Sequence, residues 1–297
     1  MKEKIKLLTA IREKDSEKLK SYLTKLIDTL VLIQTGFANA RVDDWKDQKL
    51  EYLLTKITLH EKTFLKSIEP VLINPTNPHS GLVDISSVFI IVRACIENFL
   101  TIFYLYILPE NDDEYEFFHL LFSSASMIRR QDIKRNYDDE NEKPTEQKLK
   151  DGEMIQDLVK KLQKMKTFES LNRRKRKNIE SMNPTSMKAM LYNWNELIIK
   201  SDLRNELFKN TWRLASSYAH SEELSLIQLK DFYGNKKGKF GQKNFITSMI
   251  NLNCMLVSLT IIFIKNKYNW AEQKYNNLDF QLKEEIEIWK ILATKSE

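Results

Sequence analysis

Arg213 and His220 lie in the stretch TWRLASSYAH, and of all the residues in this sequence they form the pair best suited to phosphate chemistry. On a helix a seven-residue step turns by about 700°, leaving two residues within roughly 20° of one azimuth and about 10 Å apart along the axis. Arginine supplies a fixed cation with a planar donor fork, and histidine carries a proton near neutral pH. Together they can grip one phosphate and move a proton beside it. Ser216 and Ser217 lie between them and add hydroxyl groups, while Leu214 and Tyr218 fall at other azimuths that pack a helix into a core. The plainer alternative gives Arg213 a salt bridge and lets His220 cap a helix end, where positive charge is favoured.

The run R-L-A-S-S-Y-A-H, residues 213 to 220, resembles the Arg, four to six residues, His signature of the HEPN superfamily. The stretch VRACIENFLTIFYLYI, residues 92 to 107, is similar to the first core helix of bacterial HEPN-like proteins, in which an Arg and a Glu four residues apart face the bundle. The similar regions span about residues 80 to 265. The resemblance implies an all-α, HEPN-like helical bundle. It makes Arg213 and His220 the catalytic pair, with Arg93 and Glu97 as neighbours; Ser216 and Ser217 are supporting candidates by their position between the pair. Leu214 stands where active members of the superfamily usually carry a polar residue.

What the resemblance implies for activity is a metal-independent endoribonuclease, in a toxin or phage-defence role. RNA brings its own nucleophile: His220 takes the proton of the 2′-hydroxyl, Arg213 stabilises charge on the phosphoryl oxygens, and a second His protonates the leaving 5′-oxygen. The ends formed are a 2′,3′-cyclic phosphate and a 5′-hydroxyl. No cofactor and no metal are expected. The expected partners are RNA, a second copy in a homodimer and a regulatory protein. The competing reading keeps the fold but makes the chain a non-catalytic helical interaction protein, or one that binds RNA or a nucleotide.

Those residues need helices to position them, and the composition favours helices. Only 6 Gly and 6 Pro occur in 297 residues, of which 30% are charged and 42% hydrophobic, so turns are few. Apolar residues recur every three or four positions over residues 3 to 35, with a break near Asp15, and again over 42 to 68, which predicts an N-terminal helical hairpin over residues 1–70. The segment PVLINPTNPHSG, residues 70 to 81, is read as a loop before the HEPN-like bundle of residues 80–297. Helices are expected over about 85–108, 114–130, 147–165, 194–199, 201–220, 244–267 and 270–292, with a short one over 183–190. A polar connection falls near 135–147, and YGNKKGKFGQ, with its three glycines, reads as a surface loop.

Arg93 and Glu97 are spaced as an i,i+4 pair, and the simplest role for them inside an apolar helix is an ion pair that fixes packing. Glu97 is also a candidate to orient His220. The densest positive run, NRRKRKN, makes Arg173, Arg174, Lys175, Arg176 and Lys177 candidates for nucleic-acid contact, with Tyr192 and Trp194 as stacking surfaces. A solvated helix face is the alternative. A net charge of +6 allows an anionic partner without selecting one.

The apolar stretches starting at Ile85 and Phe245 carry Arg93 and Glu97, and Asn251 and Asn253, near their middles, so core helices and no membrane association are expected. The charged start is not expected to be a signal peptide, and Cys95 and Cys254 are expected as buried free thiols, so the chain is placed in the cytoplasm. His60, His79 and His119 have no recognisable ligand partners and are read as structural or solvated.

Overall fold

A computed structural model describes residues 2–39, 44–72, 81–137, 146–184, 187–219, 227, 230 and 236–294. Helix α1 (Lys2–Glu13) ends at Lys14, whose φ of 54° is left-handed. The Asp15 amide then bonds back to the Ala10 carbonyl at 3.0 Å, closing a C-terminal turn of the Schellman type. Asp15 also accepts the Lys18 amide and so starts α2 (Ser16–Asn39). α3 (Trp45–Ser67) begins at Asp44, whose side chain accepts the Lys46 amide.

Two bonds fix the direction of α2 against α3. Gln34 meets Thr55, and fourteen residues earlier on α2 Lys20 pairs with Glu69, fourteen residues later in sequence. The two helices are therefore antiparallel. After α3 come two-residue strands, β1 (Val71–Leu72) and β2 (Gly81–Leu82), paired antiparallel in the register Val71 to Leu82.

Helix α4 (Ile85–Ile102) runs into a π-helical turn, Phe103–Ile107, before Pro109. It is followed by α5 (Asp112–Tyr137), α6 (Glu146–Gln163), α7 (Lys166–Ser170), α8 (Arg173–Glu180), α9 (Trp194–Lys200) and α10 (Asn205–Ala219). The chain closes with α11 (Lys236–Lys267), α12 (Asn269–Asn276) and α13 (Phe280–Ala293). Among the described residues the fold is an all-α bundle apart from that short ladder and an isolated bridge of Leu203 to Thr294.

Two compact units divide the chain. The first holds Met1–Thr101 and Ile198–Glu297; the second is Ile102–Leu197. In the first unit α2 lies along α11 and α11 along α13. Leu19, Leu23, Leu26, Leu30 and Ile33 form the buried stripe of α2. From Met249 to Ile264 α11 is buried nearly all round; Asn253 donates to the Met249 carbonyl at 3.0 Å and Thr260 to the Leu256 carbonyl at 2.8 Å, whereas Asn253 Oδ1 and the Ser258 hydroxyl are buried without a hydrogen-bond partner. In the second unit α6 and α7 pack on α5, and α8 on α6.

Several elements depart from expectation. The glycine-bearing stretch read as a surface loop is helical from Lys236 onward, as the first turns of α11. The helix expected over 183–190 includes residues 185 and 186, which lie outside the described residues; the Met187 amide bonds the Asn183 carbonyl, and the chain from Met187 to Asn193 is irregular. Asp279 accepts the Gln281 amide and starts α13, which splits the last expected helix in two. α10 starts at Asn205 because Asp202 is left-handed and Leu203 bridges Thr294. Two segments, Ile85–Ile107 and Gly241–Lys267, are long and apolar enough to cross a membrane, and 72% of each apolar window is buried within the protein. Cys95 and Cys254 are buried free thiols.

Candidate functional site

The described residues of the Arg–His site and its supporting group lie on α4 and α10. On α10 the residues Phe208, Thr211, Ala215 and Tyr218 are buried at steps of three and four, so this stripe faces the core. Arg213 falls on the opposite side and is exposed; Ser216, Ser217 and Leu214 are half-buried. Ser216 donates its hydroxyl proton to the Trp212 carbonyl at 2.9 Å, which leaves its oxygen as an acceptor. His220 lies outside the described residues.

Arg93 and Glu97 form the expected i,i+4 pair, Arg93 Nε donating to Glu97 Oε1 at 2.8 Å. Trp212 Nε1 donates to the same oxygen at 3.0 Å, and the Arg93 guanidinium carbon sits 5.3 Å from the Trp212 ring centroid. One carboxylate oxygen thus takes two N–H donors, while the cation lies on the indole that supplies one of them. Both charged side chains are about a quarter exposed, so the cluster is partly desolvated rather than sealed.

A second contact orients the helices. Tyr218 stacks on Phe89, with centroids 4.3 Å apart, and Phe245 of α11 packs at 4.7 Å from Phe89. The two contact points are eight residues apart on α4 and six on α10, in opposite chain directions, so α4 and α10 run antiparallel. Eight helical residues cover about 12 Å. Tyr218, the described core residue nearest His220 in sequence, therefore packs two turns away from Glu97. Glu97 is engaged at the Trp212 end of the motif, beside Arg213. Trp212 is not legible as a member of the site, because nothing in the sequence announces a contact across 115 residues.

The basic run is helix α8, started by Asn172, whose Oδ1 accepts the Lys175 amide at 2.9 Å. Arg173, Arg174, Arg176 and Lys177 are exposed along it. Ile179 anchors it in the core, and half-buried Lys175 places Nζ 5.3 Å from the Tyr192 ring centroid. Trp194, the other stacking candidate, is half-buried at the start of α9. Arg213 and α8 belong to different units.

A group that belongs to no sequence motif is Glu61, fully buried on α3 beside Cys95. Burial pushes its carboxyl up to about 8, with the Cys95 thiol opposing part of that rise. Burial also raises the Cys95 and Cys254 thiols. The position of Glu61 is readable from its neighbours: Leu50, Leu54, Ile57, Glu61 and Phe64 make one helical stripe, and Glu61 is the charged residue in it. His119 is buried edge-on between Tyr106 and Tyr115, with centroids at 4.8 and 4.7 Å. Among the described residues no group of three or more His, Cys, Asp or Glu side chains is placed to hold a metal ion.

A family model described as a family of unknown function, DUF5677, matches residues 80–239, more than half of the chain. No curated protein and no solved structure matches.

Proposed function

The chain belongs to the DUF5677 family, and from that premise we propose that it is a metal-independent endoribonuclease of the HEPN type, with Arg213 and His220 as the catalytic pair. The observation that carries this reading is the Arg93, Glu97 and Trp212 cluster, which joins the R-x-x-x-E helix to the helix of the Arg–His motif next to an exposed Arg213. Trp212 is held at both its indole N–H and its ring face, so the backbone that presents Arg213 is fixed.

In the proposed reaction His220 removes the 2′-hydroxyl proton, and the 2′-oxygen attacks the adjacent phosphorus. Arg213 binds the phosphoryl oxygens as their charge grows. The bond to the 5′-oxygen breaks, and that oxygen takes its proton from His220 of a second copy in a homodimer. The strand ends left are a 2′,3′-cyclic phosphate and a 5′-hydroxyl. The proposed setting is the cytoplasm, under the control of a regulatory partner protein in a toxin or defence role.

A second reading has the same fold serve as a non-catalytic interaction or RNA-binding protein. It is favoured by Leu214, an apolar, half-buried residue next to the motif arginine. Incubating labelled mixed-sequence RNA with the protein in EDTA separates the two. Cleavage to cyclic-phosphate ends, lost in Arg213→Ala and in His220→Ala variants that keep the parental circular dichroism spectrum, is the expected result. Equal background in parent and variants would remove the enzyme reading and leave the second.

A further inference from the structure

We propose that the second unit carries a binding site for a single nucleoside phosphate, in the cleft between α8 and the irregular chain of residues 187–193. The cleft encloses about 350 Å³, at the small end of the roughly 300–1,000 Å³ range of ligand pockets. That volume suits one nucleotide.

The lining has the mixed chemistry such a ligand needs. Arg174, Lys175 and Lys188 bring three cations to the wall, against the one carboxylate of Glu196. Glu196 is already engaged, accepting the Asn193 amide at 2.6 Å, which further tilts the cleft toward an anion. Arg174 and Lys188 are exposed at its rim and suit a phosphate, the arginine as a bidentate fork and the lysine as a point charge.

The planar part of the ligand has its own wall. The Tyr192 ring lines the cleft with Lys175 Nζ over it, 5.3 Å from its centroid, and a base that displaces this flexible lysine head stacks on the ring. Leu121, Ile179, Met190 and Leu191 add apolar wall, contacts that a bare phosphate cannot use. Asn172 and Asn193 each spend their side-chain oxygen on capping a helix, to the Lys175 and Glu196 amides. The side-chain N–H groups of Asn172 and Asn193 play no part in the caps and match the ring acceptors of a base. The wall is also braced from behind. The Tyr104 hydroxyl accepts the Leu191 amide at 3.3 Å, and the Tyr104 ring meets Tyr192 edge-on at 6.5 Å.

The ligand is either a free nucleotide or one nucleotide of an RNA strand, and the test separates these sources. Fluorescently labelled AMP is titrated with the full-length protein, followed by competition with an unlabelled RNA oligonucleotide. Saturable AMP binding is expected, weakened about tenfold or more in the double variant Arg174→Glu, Lys188→Glu and in Tyr192→Ala, and retained in Tyr192→Phe. Displacement by the oligonucleotide identifies a strand as the source, and failure to displace identifies a free nucleotide; either is consistent with the site. No saturable AMP binding up to ~1 mM, or binding unchanged in the charge-reversed variant, overturns it. Equal thermal midpoints of the variants guard against unfolding as the cause. The AMP titration is read out through Arg174, Lys188 and Tyr192 and the cleavage assay through Arg213 and His220, so this test and the RNA-cleavage test fail separately.

Discussion

Trp212 donates its indole N–H to Glu97 Oε1 at 3.0 Å, on the same oxygen that Arg93 binds at 2.8 Å. Replacing Trp212 by Phe keeps an aromatic face for the Arg93 cation but deletes one donor. The expected loss is about 1 kcal/mol of unfolding free energy in urea denaturation. Glu97→Ala is worse because it strands two half-buried donors, one of them charged, at a cost on the order of 2–3 kcal/mol. If both variants unfold at the parental urea midpoint, the cluster is a surface arrangement with no hold on the helices. Under the proposed function, both substitutions also lower RNA cleavage while leaving Arg213 and His220 in place.

Glu61 sets a dependence of stability on pH. Its carboxyl is raised to about 8 when folded, against 4.5 in the open chain. Folding therefore takes up a proton between those values, and the contribution of Glu61 to stability is full below about pH 4.5 and falls as pH rises toward 8. A tenfold change in proton affinity is worth about 1.4 kcal/mol, so the whole fall is a few kcal/mol. Glu61→Gln removes the ionisation while keeping the shape. The difference in unfolding free energy between variant and parent should move in the variant's favour from pH 5 to pH 9. A difference that stays flat with pH would show that Glu61 ionises normally in the folded chain.

The helices and the Glu61 stripe are legible because burial on a helix repeats every three to four residues, and that repeat is written in the chain itself. So is the break at Asp15, which caps α2. The Arg93 and Glu97 pair is legible for the same reason, as an i,i+4 step. Its third member is not, because Trp212 reaches Glu97 through packing of α10 on α4, which no local pattern encodes. The start of α11 reads as a loop because of its glycines, each worth about 1 kcal/mol against a helix. That cost is offset when the same helix buries Ile250, Leu252, Leu256 and Ile261 further along. The cleft of the second unit is half legible. The cations of α8 and Tyr192 stand out, whereas Lys188 joins them only through the irregular chain after α8.

Tyr104 tests how the second unit holds that wall. Its ring is fully buried and stacked on Phe118 at 4.5 Å, and its hydroxyl accepts the Leu191 amide at 3.3 Å. Tyr104→Phe keeps the stack and removes the acceptor from a part-buried backbone N–H. The expected cost is about 1 kcal/mol, together with weaker AMP binding, since Leu191 and Tyr192 line the cleft. Loss of stability without any change in binding would confine Tyr104 to the core.

Gly36 offers a test of packing in the first unit. It is buried on α2, and a Cβ placed there would fall inside the ring system of Trp270 on α12. That ring has little room to slip, being edge-on to Phe37 at 4.9 Å and stacked on Tyr268 at 5.3 Å. Two effects oppose each other in Gly36→Ala. Helix propensity favours Ala by about 1 kcal/mol, while overpacking a tight contact costs roughly 1–3 kcal/mol. The blocked atoms belong to the rigid indole, so the clash is expected to win and the unfolding midpoint to fall. Shortening the opposing ring reverses the sign: in a Trp270→Leu background, itself destabilised, Gly36→Ala is expected to recover up to ~1 kcal/mol. Urea denaturation of the four proteins of this cycle measures the coupling directly. The same ΔΔG for Gly36→Ala in both backgrounds would mean that Trp270 does not occupy the space above Gly36.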